Sequence, residues 1–217
     1  GNINAKSTFI DSNMNLWVQS EQGLNVYEIH SGYSLLHNYN YQNSILPNLP
    51  INCMKEIPNQ EVMICTRGGG VFIANTPEKR IRNTNITKDD CFNNVQCMLV
   101  NDKRLEMIYG TASNGILQTL YTFIYTKNET IVDTNTNTRT AIVTLCAFQN
   151  KENDFIWFGT AGYGIAKYLE KTNSVEYLES TSKMRVVSIC EYDDGHLCVV
   201  DDSRGLMVLN KISGEIV

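Results

Sequence analysis

One pattern recurs five times in the chain: three or four apolar residues, a small polar residue, a short turn, a glycine, and then apolar alternation. The copies open at Leu16, Val62, Met107, Ile156 and Leu197. They carry Ser20, Thr66, Thr111, Thr160 and Asp201 at the polar position and close on Gly23, Gly70, Gly115, Gly164 and Gly205. Successive closing glycines lie 41 to 49 residues apart, a spacing that suits a four-stranded unit. The glycine has a mechanical reason, because a tight turn that needs positive φ is cheap only for a residue without Cβ. The small polar residue can bond the backbone of that turn. Short β-prone runs precede the later copies, at 51–55, 95–99, 143–148 and 187–192, each followed by a polar turn. A weaker fourth run follows, such as 175–178. No apolar i, i+3, i+4, i+7 pattern persists for a dozen residues, so helices are not expected. The pattern predicts an all-β fold: a β-propeller of about five four-stranded blades, over 1–45, 46–90, 91–138, 139–182 and 183–217. It is read either as a five-bladed ring or as an arc of a seven-bladed one, which would need roughly 315 residues.

Composition narrows the partners. The net charge of −5 disfavours nucleic acid, whose binding is driven by Lys and Arg against phosphate. No apolar run approaches the roughly 20 residues that span a bilayer, so no membrane contact is expected within this stretch. The chain starts at Gly1 rather than Met, which reads as a tag remnant and leaves the question of a leader open. Seven cysteines and three scattered histidines (His30, His37, His196) show no metal-ligand spacing. No metal or other cofactor is expected. Most of the cysteines lie in apolar runs and read as small hydrophobes. A two-residue turn at Asp194-Gly195 would set Glu191 opposite Cys198 and turn Cys190 to the other face of its hairpin. Asp11-x-Asn13-x-Asn15 imitates the start of a calcium loop but lacks Gly at the sixth position and Glu at the twelfth, so it reads as an Asx turn. Trp17 and Trp157 sit where strands face neighbouring blades and read as packing.

The copies resemble the two-component regulator propeller repeat. Ile156-Trp157-Phe158-Gly159-Thr160-Ala161-Gly162-Tyr163-Gly164-Ile165-Ala166-Lys167-Tyr168 is a close match. So are Asp11 to Trp17 running on to Gly23-Leu24-Asn25-Val26-Tyr27, and the stretch from Val187 to Leu197. The second and third copies are degenerate, with Met63 and Ile108 near the tryptophan position. The resemblance implies an extracytoplasmic, periplasmic sensor module of a bacterial hybrid histidine kinase. It implies an oligosaccharide or other small ligand, and neighbouring domains of the parent sensor, as partners; a homodimer is compatible with it.

In such a fold the second-to-third-strand turns and the fourth-to-first connections gather on one face. The residues expected to meet a ligand there are Glu21, Tyr39, Tyr41, Arg67, Asn114, Tyr163, Asp202 and Arg204, whose charged, amide and aromatic groups suit sugar hydroxyls or an anionic substituent. No catalytic residue is expected. A glycoside hydrolase on a five-bladed propeller is the first alternative, yet no repeated carboxylate pair of the kind that chemistry requires stands near the first strands. A cytoplasmic scaffold of the WD-repeat type is the second, favoured by thiols that suit a reducing compartment. Against it, Trp17 and Trp157 are followed by Val and Phe instead of Asp.

Overall fold

The computed structural model describes residues 5–29, 32–84, 92–101, 106–112, 115–120, 144–148, 155–169, 171–172 and 174–217. Two compact units divide the chain, Gly1–Val95 and Gln96–Val217.

In the first unit, β1 (Ser7–Ile10), β2 (Asn15–Gln19), β3 (Gly23–Ile29) and β4 (Tyr33–Asn40) pair in sequence order. A second four-stranded sheet follows, built from β5 (Ile51–Ile57), β6 (Glu61–Thr66), β7 (Gly70–Asn75) and β8 (Arg80–Asn83). The second unit holds three sheets: β9 (Val95–Asn101), β10 (Glu106–Thr111) and β11 (Ile116–Leu120); β12 (Thr144–Phe148), β13 (Phe155–Thr160), β14 (Ile165–Leu169) and β15 (Ser174–Tyr177); and β16 (Val186–Asp193), β17 (His196–Asp201) and β18 (Gly205–Asn210). Among the described residues the chain is therefore all-β, in small antiparallel sheets of sequence-adjacent strands.

Each apolar repeat forms the second and third strands of one sheet, and in the first four the turn between them is closed the same way. The hydroxyl at the strand end donates to the carbonyl of the closing glycine: Ser20 to Gly23 at 3.1 Å, Thr66 to Gly70 at 3.0 Å, Thr111 to Gly115 at 2.9 Å and Thr160 to Gly164 at 2.8 Å. The closing glycine at Gly164 has φ +73°, and a Cβ there would lie 2.2 Å from the Thr181 carbonyl oxygen. Both the backbone angle and the space exclude any side chain.

The core lies between sheets. In the first unit, Trp17, Leu24 and Val26 of the first sheet bury against Val62, Ile64 and Phe72 of the second. In the second unit, Ile108 and Ile116 meet Ile156, Phe158 and Ala166, while Trp157 and Ile165 meet Val186, Leu197, Val199 and Leu209. Each such Val, Leu, Ile or Phe side chain contributes about 1.5 to 3 kcal/mol on burial. Both tryptophans are thus packing residues, as the sequence predicts. Trp17 is also anchored by its ring nitrogen. Asp11 accepts from Asn13 N (3.0 Å) and Asn15 N (2.9 Å) on one oxygen, and from Asn15 Nδ2 (3.0 Å) and Trp17 Nε1 (2.9 Å) on the other. Four N–H donors surround the carboxylate, and the calcium-like motif is an Asx turn.

Two expectations fail. The turn at Asp194-Gly195 does set Asp193 opposite His196, but the register then shifts between Glu191 and Asp193, leaving Tyr192 unpaired in a bulge. Glu191 faces Leu197, and Cys190 faces Cys198 directly instead of pointing to the other side of the hairpin. A bulge moves every residue beyond it by one position, which parity counted from the turn cannot foresee. The second failure is Tyr39, expected in a ligand-facing loop. It lies in β4 at 3% exposure, stacked on Trp17 at 6.1 Å between ring centroids, with its hydroxyl donating to Asn75 O at 3.2 Å. Burial pushes its hydroxyl pKa up to about 12.

Gly164→Ala is expected to destabilise the chain by about 2 to 4 kcal/mol in urea unfolding, from a disfavoured φ combined with a backbone collision. Asp11→Ala, which strands the Trp17 and Asn15 donors, is expected to cost about 2 to 3 kcal/mol. A change below about 0.5 kcal/mol for either would contradict the roles assigned.

Candidate ligand-binding face

The second-to-third-strand turns are not free ends. In the first unit, Tyr41 N donates to Gln22 O at 3.2 Å, Arg67 N to Pro50 O at 2.8 Å and Gly68 N to Asn93 O at 2.6 Å. Gln19, only 2% exposed, reaches the same region: its Nε2 donates to Tyr41 OH (3.1 Å) and Leu49 O (2.8 Å), and its Oε1 accepts from Ile51 N (3.0 Å). In the second unit, Gly162 N and Gly164 N both donate to Met184 O at 3.1 Å, and Asp202 N donates to Arg185 O at 3.0 Å. The turns and the fourth-to-first connections of each unit are therefore laced together by backbone hydrogen bonds, which satisfies polar groups that would otherwise need water. Loops tied down in this way present side chains at fixed positions.

The fifth repeat replaces the hydroxyl with a carboxylate. Asp201, 2% exposed, accepts from Arg185 N (2.8 Å), Ser203 N (3.0 Å), Ser203 Oγ (2.7 Å) and Arg204 N (2.8 Å). The Ser203 hydroxyl bond, helped by the backbone N–H donors, holds its pKa down at about 2. Asp201 is committed to the turn. Beside it, Arg185 Nε pairs with Asp202 Oδ2 at 3.2 Å across solvent-exposed side chains.

A hollow of about 670 Å³ opens next to the β13–β14 turn of the fourth repeat, walled by Tyr163, Tyr177, Leu178, Glu179, Ser182 and Lys183. Tyr163 is 55% exposed, and its backbone N–H is fixed to Thr160 Oγ1 at 3.1 Å. Lys183 holds φ +72° without being glycine, a strained conformation of the kind that persists where the surroundings over-determine it. An exposed ring over an apolar wall, with a carboxylate, a hydroxyl and an ammonium at the rim, can stack a sugar face and bond its hydroxyls. In the first unit a second hollow of about 370 Å³ is bordered by His37, Asn38, Asn43, Lys79 and Arg80. Burial and the Lys79 charge lower the His37 pKa.

Of the expected contact residues, Tyr163 lines the larger hollow. Asp202 and Arg204 share the Asp201 turn, with Asp202 paired to Arg185. Glu21 and Arg67 are exposed on turns of the first unit, and Tyr41 is half-buried against Gln19. Tyr39 is withdrawn into the core, although one edge reaches the smaller hollow. Asn114 and the polar stretch 133–140 lie outside the described residues. Sequence reasoning missed Glu179, Ser182, Lys183 and Arg185. They occupy a fourth-to-first connection, 178–185, whose run of small polar residues was the available signal.

The sequence matches no protein-family model, and no curated protein matches it. Solved structures do match. Over 99% of this chain, the extracellular domain of the hybrid two-component system BT4673 from B. thetaiotaomicron superposes with a TM-score of 0.69 at 21% identity. The extracellular domain of the hybrid two-component system BT3049 from the same organism superposes over 100% of the chain, with a TM-score of 0.75 at 18% identity. A further structure, described as the extracellular domain of a one-component system BT4673, gives 0.60 at 16% identity. The chain shares their fold. It spans 27%, 30% and 33% of those three chains.

Asp201 also sets a pH dependence. Its folded pKa lies below the unfolded value of about 3.9, so its stabilisation is complete above that value and is lost as pH falls towards about 2. Asp201→Asn is expected to unfold at lower urea than the wild type at pH 7, with the gap closing between pH 4 and pH 2. A gap that stays constant over that range would refute the assignment.

Proposed function

We propose that the chain is a non-catalytic ligand-sensing module of a bacterial two-component sensor, located in the periplasm, and that it recognises an oligosaccharide through the laced loop face. Its five sheets are taken as the blades of a β-propeller, either a five-bladed ring or an arc of a larger one, with blade limits near 1–45, 46–90, 91–138, 139–182 and 183–217. The observation that carries the proposal is the shared fold with extracellular domains of hybrid two-component systems over essentially the whole chain. The Tyr163–Lys183 hollow supplies the chemistry: an exposed aromatic face, apolar walls, and rim groups that can donate and accept. The acids near the turns support a binding role over hydrolysis. Asp201 is consumed by its turn, and Glu191 is paired with Lys211. A glycosidase needs two carboxylates free to work across one bond.

Isothermal titration with a panel of neutral and acidic oligosaccharides tests the proposal. At least one glycan is expected to bind, and Tyr163→Ala and Lys183→Ala are each expected to weaken it about tenfold, equivalent to about 1.4 kcal/mol, with unfolding midpoints unchanged. No heat with any glycan, or binding that ignores both substitutions, would overturn the site.

A further inference from the structure

Two pairs of cysteines stand directly opposite each other across neighbouring strands. Cys190 of β16 faces Cys198 of β17, and Cys53 of β5 faces Cys65 of β6. All four are free thiols. Directly opposed residues of an antiparallel ladder have Cα atoms about 4.5 to 5.5 Å apart, inside the roughly 4.4 to 6.8 Å that a disulfide spans. The thiols of each pair also interact. Burial, then the charge and hydrogen bond of Cys198, raise the Cys190 pKa; a hydrogen bond from Cys65 and burial raise that of Cys53 further. Access separates the two pairs. Cys190 is exposed and Cys198 half-buried, whereas Cys65 is buried and Cys53 half-buried.

We propose that Cys190 and Cys198 form an oxidisable dithiol site that takes a small disulfide, or a dithiol–disulfide oxidoreductase, as its co-reactant and closes to a cross-strand disulfide. The exposed Cys190 thiolate attacks one sulfur of the donor disulfide, forming a mixed disulfide and releasing one donor thiolate. The Cys198 thiolate then attacks the Cys190 sulfur and releases the second. Two electrons and two protons pass from the pair to the donor, which leaves as two thiols. The bulge at Tyr192 creates the site, because without it Cys190 would point away from Cys198. The strand pairing needs such a clamp most at this place. Register shifts interrupt it both before Ser188 and after Glu191, so Ser188 to Glu191 is the unbroken stretch that a covalent link would pin. The chemistry does not depend on ligand sensing. Its occurrence in the cell rests on the periplasmic location proposed above, since disulfides persist in oxidising compartments.

The test is incubation of the purified chain with oxidised glutathione at pH 8, followed by alkylation, digestion and mass spectrometry. The expected result is a linked peptide joining Cys190 and Cys198, with Cys53 and Cys65 still alkylated. Cys198→Ser is expected to stop at a glutathione adduct on Cys190. The oxidised wild type is expected to melt a few degrees above the reduced form, a difference absent in Cys198→Ser. A stable glutathione adduct on Cys190 in the wild type, or two thiols still open to alkylation after treatment, would overturn the proposal. Preferential linkage of Cys53 to Cys65 would do so as well.

Discussion

A single hydrogen bond, present in four of the five repeats, organises this chain: the hydroxyl at the end of the second strand donates to the carbonyl of the closing glycine. The bond is nearly buried at Thr66, Thr111 and Thr160. A lost partner there would leave a polar group without water to replace it. It fixes where the hairpin reverses. The reversal fixes register, and register decides which side chains enter the space between sheets. Trp17 and Trp157 reach their interfaces because the turns at the ends of their own strands, three residues on, are locked. In the fifth repeat the same task is performed with opposite polarity. Asp201 accepts hydrogen bonds where its counterparts donate one, and it gathers Arg185, Ser203 and Arg204 onto one carboxylate.

Much of this was legible in the sequence because it is local. Closing glycines, polar strand ends and alternating apolar runs are set within a dozen residues, and the strands fall where those signals place them. The Asx turn at Asp11 was legible for the same reason, its donors lying within six residues. What escaped was non-local or cumulative. Tyr39 is flanked by Asn38 and Asn40 and reads as a loop residue, but Trp17 from two strands earlier provides a surface for its ring. The Cys190–Cys198 pairing depends on a bulge, a one-residue offset that leaves no compositional mark. At the rim of the candidate hollow, Lys183 holds a positive φ that its residue type does not announce.

The comparisons carry the same division. No family model matches the repeats, yet structures at 16 to 21% identity superpose along the whole length. A fold held by a few backbone-directed bonds per repeat constrains few side chains strongly, so sequence can drift while geometry stays. Exposed turn side chains belong to the unconstrained set, and a shared fold does not by itself carry a function with it.

Three of the first strands carry an extra residue near their start, between Ile51 and Cys53, Thr144 and Cys146, and Val186 and Ser188. Each such kink sharpens the right-handed twist of its strand and lets the chain enter a sheet at an angle that a regular ladder would not allow. Three first strands thereby carry the same irregularity at different amino acids, Asn52, Leu145 and Val187. Any engineered copy of this repeat that straightens the entry by deleting the spare residue would reverse the inside and outside of the strand that follows.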